Sequence, residues 1–443
     1  MAAAVGSCLP LSAVFCIGLG AWVAVSGIFA ELPLLVDTQP EGWALASRLT
    51  LAVQAGNLFA FSIAGALHLG WLQESARHLG ACIGCALLVA ALACTALIWF
   101  YDHTTRVGGD EPQSITLLAL TCIASICDGS TTITFAPYLA HLALLPVGRQ
   151  AAEGDEAGAL SVLTQTGQRV TQALYVGSGF SGLLPSMVSW IQMPRHDQRN
   201  FGPPYFFLSL ALQMVLSMLG LGYVSFLLKG RQHPPTPQAI NHPEAANARL
   251  VHGDSEADLM IEEREPLLDA KTPALRPATF MAHWPEWSLF VGASILLNAA
   301  LPAVLSYAAG RYGGNSYHTA QTLLLTLNPV ASFVPRLHGM VSRRFHGLAL
   351  AVSAALTAYV VAIAVPTAAA GPEALLHVAV AASCFLSQWI QTSLLSELLW
   401  YQQMCTQAYP RLLFWAGVMV QAGAAVGALL FYVLVNHTSI FAS

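Results

Sequence analysis

Two carboxylates and a scatter of amides stand inside apolar runs of this chain, where each polar group needs a partner or a purpose. Glu31 is followed directly by Leu32 and Pro33, near the far end of the first long apolar run. A charge at the centre of a membrane helix costs about 2.5–3.5 kcal/mol on insertion scales, and less near the interface. Proline frees a backbone carbonyl that lipid cannot satisfy. Both are tolerated where they face a water-accessible cavity inside a helix bundle, the arrangement of a transporter. The plainer alternative is an interfacial acid that orients the first helix; the proline beside it favours the functional reading. Asp128 lies in Cys127-Asp128-Gly129-Ser130-Thr131-Thr132, near the middle of the fourth apolar run. It is read equally as a proton or substrate site and as a structural acid bonded to a neighbouring helix. Arg169 and Glu397 are read first as residues of the membrane boundary.

The amides are Gln54, Asn57, Asn298, Asn328, Gln388, Gln391 and Gln421. One such group is helix–helix glue worth about 1 kcal/mol. So many of them, spread over both halves, read as the lining of a polar cavity. Trp22, Tyr138, Tyr307, Tyr317 and Trp389 supply rings, although most aromatics of a membrane protein sit at its interfaces. A phosphate or dicarboxylate would call for arginine or lysine near the midplane, and the apolar runs hold almost none. The set suits a flat, neutral, hydrogen-bonding solute.

Other spacings lead elsewhere. Gly177-Ser178-Gly179-Phe180-Ser181-Gly182 matches G-x-G-x-x-G, but it lies inside an apolar run that continues to Pro185, without the strand a dinucleotide fingerprint requires. Small residues at that spacing let helices approach closely. Cys82-Ile83-Gly84-Cys85 has redox spacing but no strand or helix terminus to activate a thiol, and free cysteines are habitually buried as small apolar residues. No metal-ligand spacing and no nucleophile paired with a base is found. The chain is therefore read as a non-enzyme with no cofactor and no metal.

The elements that must position these residues are membrane helices. The chain has 443 residues, 56% hydrophobic and 9% charged, against about 25% charged for soluble domains. Nucleic acid is excluded as a partner by the lack of a basic stripe; the lipid bilayer is the partner that composition demands. Apolar stretches of about twenty residues predict helices near 11–36, 44–68, 79–101, 114–139, 171–192, 205–228, 284–307, 316–341, 347–367, 374–400 and 411–435. The fold class is all-α and polytopic, about eleven transmembrane helices in a six-plus-five arrangement: a six-helix bundle over 1–228, a polar insert over 229–283 and a five-helix bundle over 284–443.

The insert is too polar to bury enough surface against its ordering entropy and is expected to be disordered. Arg77, Arg149, Lys229, Arg231, Arg343, Arg344 and Arg411 fall on one side of the membrane, and Arg106, Arg195, Arg199 and Arg311 on the other. The bias places the N-terminus and insert in the cytosol and, with an odd helix count, the C-terminus outside. Glu263-Arg264-Glu265-Pro266-Leu267-Leu268 has the form of an acidic dileucine signal, with Glu263, Leu267 and Leu268 as its determinants and sorting adaptor proteins as implied partners. The expected location is the plasma membrane, with endosome or lysosome as the alternative. Asn436-His437-Thr438 is a glycosylation sequon whose closeness to the membrane argues against its use.

Several of these residues fall into longer matches. Gly18-Leu19-Gly20-Ala21-Trp22-Val23-Ala24-Val25-Ser26-Gly27-Ile28 leads through Glu31-Leu32-Pro33 to Pro40-Glu41-Gly42-Trp43 and Gly56-Asn57-Leu58. Thr134-Phe135-Ala136-Pro137-Tyr138-Leu139 with His141, Gly177-Ser178-Gly179, Leu183-Leu184-Pro185, Asn298-Ala299, Leu301-Pro302, Tyr312-Gly313, Tyr317-His318 and Asn328-Pro329 continue the pattern, and Gln421 closes it. Nearly end to end, the chain resembles the eukaryotic riboflavin transporters; Ser26 and Thr132 depart from the asparagines expected at those positions. The resemblance implies a fold similar to the major-facilitator and equilibrative-nucleoside-transporter folds. It implies riboflavin uptake without sodium, pH-dependent in some members, by alternating access around a midplane site.

Riboflavin offers a ring to stack, an imide-like edge and ribityl hydroxyls. Trp22 and Tyr138 are then stacking candidates, and Ser26, Asn57, Thr132, Asn298 and Gln391 hydrogen-bond candidates. Glu31 becomes a gate or pH-sensitive acid near the outer mouth, and Asp128 a proton-linked or gating candidate. Carriage of another flat neutral solute such as a nucleoside, or a membrane receptor that binds a flavin without moving it, are the competing functions.

Overall fold

Long runs of Leu, Ala and Val, broken by Gly and Pro rather than by charge, are folded almost throughout into helices. The structure, a computed structural model, describes residues 8–71, 75–106, 112–144, 156–193, 199–229, 283–336, 341–404 and 412–441. The expected disorder of the insert, and the Glu263–Leu267–Leu268 signal, fall outside these residues.

The first half contains α1 (Cys8–Leu19), α2 (Val23–Thr38), α3 (Leu45–His68), α4 (Ala76–Phe100), α5 (Ile115–Leu144), α6 (Glu156–Gln192) and α7 (Pro203–Lys229). The second contains α8 (Trp284–Ile295), α9 (Leu301–Gly310), α10 (Gly314–Phe333), α11 (Arg343–Ala364), α12 (Glu373–Met404) and α13 (Leu412–His437). A short antiparallel pair, β1 (Thr105–Arg106) with β2 (Pro112–Gln113), joins α4 to α5.

α1 and α2 form one span bent by 47° at Gly20–Trp22. α8 and α9 form another, joined by a π-helical turn over Leu296–Ala300. Pro302 stands just beyond that turn and cannot donate to the Asn298 carbonyl four residues back, which favours the wide turn. Each expected apolar segment thus meets a helix or a joined pair, with two changes of boundary. α6 begins at Glu156 rather than near 171, so Arg169 lies within it and not at its edge. α10 ends at Phe333, because Pro335 follows in a 3₁₀ turn over Val334–Arg336.

Among the described residues, seven helices are long and apolar enough to cross a membrane, eight with the bent pair counted. The three expected spans outside that set are α5, α6 and α10, whose sequences carry the serines, threonines, glutamines and asparagines. α6 packs on α10, and α3 on α9 and α13; these contacts join the two halves. Within the first half α5 packs on α3 and α4, and α1 on α6 and α7; within the second α12 packs on α10 and α11, and α8 on α13.

The G-x-G-x-x-G run is a packing surface, as its position predicts. A side chain at Gly177 would collide with the Phe15 carbonyl oxygen, and one at Gly182 would stand 3.3 Å from the Leu325 carbonyl oxygen. The same run thus seats α6 against α1 and α10. Ser353, Thr357, Ser383 and Ser387 bind α11 to α12 through one another, with Ser353 Oγ 2.7 Å from Ser387 Oγ and Thr357 Oγ1 2.7 Å from Ser383 Oγ.

Candidate functional site

The polar residues of α2 and α3 recur at helical spacing. On the α2 side Trp22, Val25, Ser26 and Phe29 stand at i, i+3, i+4 and i+7; on α3, Thr50, Val53, Gln54 and Asn57 repeat that pattern. Each set is one face of a helix, and both face a cavity between the halves. Asp128 of α5 completes the first-half wall. Opposite stand Leu297 and Asn298 of the π turn, Pro302 of α9, Leu324, Leu325 and Asn328 of α10, and Gln421 and Ala424 of α13. The space between these residues is about 650 Å³, counting the part that is open to solvent.

One corner is built of amides. Asn57 Nδ2 donates to Gln421 Oε1 at 3.0 Å and to Gln54 Oε1 at 3.2 Å, so the first half is tied to the second at this point. Gln421 is fixed from behind, because Ser294 Oγ donates to the Val420 carbonyl at 2.6 Å and Asn298 Nδ2 donates to Ser294 Oγ at 3.0 Å. Asn57 Oδ1, Gln421 Nε2 and Asp128 Oδ1 are buried without a hydrogen-bond partner. An orphaned buried polar group costs about 1–3 kcal/mol, so three at one corner of the cavity suit a ligand that answers them.

Of the sequence candidates, Trp22, Ser26, Asn57, Asn298 and Asp128 come together at the cavity. Gln391 is half-buried, with Nε2 unpartnered, but is not on the described wall. The side chain of Thr132, one turn from Asp128, lies outside the described residues. Tyr138 is not brought to the cavity: it is buried in the first half, its hydroxyl 2.9 Å from Ser225 Oγ on α7 and its ring close to Gly80 on α4. Glu31 also lies off the wall, since position 31 is not on the stripe that carries Trp22, Ser26 and Phe29. It is buried and accepts a hydrogen bond from Gln192 Nε2 of α6 at 2.9 Å. Beside it Ser189 Oγ donates to the Ala30 carbonyl at 3.1 Å and stands 3.3 Å from His318 Nε2 of α10. Glu31 Oε2 and Gln192 Oε1 remain without partners. This is a polar seam of α2, α6 and α10, separate from the cavity wall.

The Pro-Glu-Gly-Trp run closes one end of the molecule. Glu41 accepts from the backbone N–H and the hydroxyl of Ser114, each at 2.7 Å, and so anchors the α2–α3 connection to the start of α5. Gly42 has φ +54°, a conformation glycine adopts without strain. Trp43 is thereby carried to the second half. Its carbonyl accepts from Ser306 Oγ at 2.8 Å, and its ring meets Tyr317 edge-on at 5.6 Å. A side chain on Gly310 would stand 3.0 Å from that ring. At the same end Asn436 Nδ2 donates to Ser47 Oγ at 2.9 Å and Oδ1 accepts from Arg48 Nε at 3.4 Å. The sequon asparagine is thus engaged inside the bundle.

Phe29, Leu324 and Pro302 were not among the expected site residues, nor were Gln54, Asn328 and Gln421 singled out from the other amides. The i, i+3, i+4, i+7 spacing from Trp22 holds the signal for Phe29. Nothing separates Leu324 from a lipid-facing leucine by sequence. Among the described residues no group of three or more His, Cys, Asp and Glu side chains is arranged to hold a metal ion.

A family model described as "Solute carrier family 52, riboflavin transporter" matches residues 8–144 and 192–443. "Riboflavin transporter 2" of Salmo salar is 26% identical, with 96% of this chain and 95% of that protein covered. "Solute carrier family 52, riboflavin transporter, member 3" of Ailuropoda melanoleuca is 28% identical with the same coverage. Among solved structures, the partially occluded inward open form of the xylose transporter XylE from E. coli superposes with a TM-score of 0.55 at 13% identity, covering 97% of this chain and 92% of that one. That likeness concerns the fold alone: an all-α polytopic membrane protein.

Proposed function

The chain belongs to solute carrier family 52, the riboflavin transporters, and from that premise we propose that it carries riboflavin across the membrane by alternating access between its two halves. The observation that carries this reading is the cavity between the halves, walled by Trp22, Phe29, Asn298 and the Asn57–Gln421–Asp128 corner. Rings flank the isoalloxazine, and amides and hydroxyls meet its polar edge and the ribityl chain.

Two of the contacts between the halves suit such a cycle. The Trp43 end is held by a few hydrogen bonds and ring contacts. The α2–α6–α10 seam keeps polar atoms of Glu31 and Gln192 without partners, as suits a surface that separates and re-forms. We assign Glu31 to that seam, as a gating acid linked to pH rather than as a contact of the substrate. Transport is read as independent of sodium.

Arg77, Lys229, Arg343 and Arg344 stand at helix ends on one side, and Arg106, Arg199 and Arg311 on the other. With the charge bias this favours a cytosolic N-terminus and an extracellular C-terminus. The Trp43 contact is then the outer closure. We place the protein in the plasma membrane, with sorting to endosomes or lysosomes through Glu263, Leu267 and Leu268 as the alternative; imaging a Leu267→Ala, Leu268→Ala variant decides, since an unchanged distribution dismisses the signal.

The test of function is uptake of labelled riboflavin into cells expressing the chain, with unlabelled riboflavin and uridine as competitors and surface expression measured alongside. Saturable uptake blocked by riboflavin and not by uridine is expected. Competition by uridine alone would assign a nucleoside carrier, and saturable binding without flux would assign a receptor.

A further inference from the structure

The orphaned atoms of the cavity corner differ in kind, and the difference specifies which edge of a substrate they answer. Asn57 donates to both Gln54 and Gln421, so its Oδ1 is left as an acceptor and Gln421 Nε2 as a donor. Turning all three amides over exchanges these roles but keeps the sum: the linked amides still offer one donor and one acceptor. Asp128 Oδ1 adds a carboxyl acceptor that no protein group satisfies. Asp128 lines the same cavity as Asn57 and Gln421. A side chain on Gly129 would stand 2.7 Å from Asn57 Oδ1, so α5 approaches α3 closely at the very turn that bears Asp128. Asn57, Gln421 and Asp128 are each 2% exposed, so water answers them poorly.

A corner with one donor beside acceptors is complementary to a carbonyl next to an N–H. It is a poor match for a phosphate or carboxylate, which brings acceptors only. We propose that this corner reads the imide edge of the substrate ring: the imide N–H donates to Asp128 Oδ1, and the adjacent ring carbonyl accepts from the Asn57–Gln421 amide pair. Asp128 is then a specificity-determining residue. The assignment rests on the riboflavin reading and deepens it by fixing which end of the flavin points toward α3, α5 and α13. The ribityl chain is directed away from this corner, toward other parts of the wall.

The experiment is inhibition of labelled riboflavin uptake by unlabelled riboflavin and by riboflavin methylated at the imide nitrogen, in cells expressing the native chain and Asp128→Asn. Methylation removes the donor and leaves the ring area and ribityl chain intact. In the native chain the methylated compound should require a concentration about tenfold higher for half-inhibition, the scale of one hydrogen bond. In Asp128→Asn, which keeps the shape but offers an amide able to turn its own donor toward the ring, that ratio should fall toward one. Equal potency of the two flavins in the native chain overturns the assignment and leaves riboflavin transport standing; this arm needs no variant to fold. A ratio unchanged in Asp128→Asn overturns the role of Asp128. No saturable riboflavin uptake at all overturns both the corner and the reading beneath it.

Discussion

Two clusters of polar side chains lie at membrane depth in the second half or at its border, and they treat hydrogen bonds in opposite ways. Between α11 and α12, Ser353, Ser383, Ser387 and Thr357 bond to one another and to backbone carbonyls, and none of the four is left without a partner. At the cavity corner, Asn57, Gln421 and Asp128 are as deeply buried, yet each keeps one atom unanswered. Hydroxyls that can serve as donor and acceptor at once close into a self-sufficient seam. The amides and the carboxyl of the corner do not, and these three residues line a cavity. Saturation, rather than polarity alone, separates helix glue from a binding surface.

The comparison is broken most directly by removing one member of each cluster. Asn57→Ala deletes both amide bonds of the corner and leaves Gln54 and Gln421 without them. It should lower the Vmax/KM of riboflavin uptake about tenfold or more at unchanged surface expression, a loss of about 1.4 kcal/mol or more. Ser353→Ala in the hydroxyl seam should leave uptake within about twofold. Equal losses in the two variants would erase the distinction. Trp43→Ala removes a contact between the halves without touching the cavity, so about a threefold fall in Vmax with KM preserved is expected from initial rates; a rise in KM alone would place Trp43 with the substrate.

Glu31→Gln sharpens the comparison from a third direction, because Glu31 belongs to neither cluster. Uptake measured across pH should lose its dependence in this variant while the half-saturating concentration of riboflavin is retained. A pH profile like the native one would remove Glu31 from any proton role. The smallest effect is reserved for stability: Ser383→Ala should cost about 0.6 kcal/mol, the average for hydrogen bonds between membrane helices, read as a modest drop in the thermal midpoint of the detergent-solubilised protein.

Much of this organisation is legible in the residues themselves. Apolar run length gave every span its place, since the bilayer sets a length that sequence must meet. Proline accounts for two irregularities, the π turn before Pro302 and the 3₁₀ turn holding Pro335 after α10, whereas the 47° bend of the first span falls at Gly20–Trp22 without one. Trp22, Ser26, Asn57, Asn298 and Asp128 were found because a polar or amphipathic group inside lipid-length helix needs a reason. The same logic singled out Glu31, which lies off the wall that those five residues share. Polarity announces that a side chain is buried against protein, but the face of the helix decides which protein surface it meets. Glu31 is off the Trp22–Ser26–Phe29 stripe and turns to Gln192. Tyr138 carries the same lesson for rings, since its hydroxyl finds Ser225 and its bulk fills the first half. Leu324 and Pro302 could not be found at all, because an apolar wall of a cavity and a lipid-facing surface use the same residues.

The most direct measurement is equilibrium binding of riboflavin to the purified, detergent-solubilised protein, followed by quenching of flavin fluorescence in the native chain, Asn57→Ala and Ser383→Ala. Saturable binding in the native chain and Ser383→Ala, weakened about tenfold in Asn57→Ala, is the predicted result. Binding of equal strength in all three would contradict the claim that the open amides of the cavity corner are what hold the substrate.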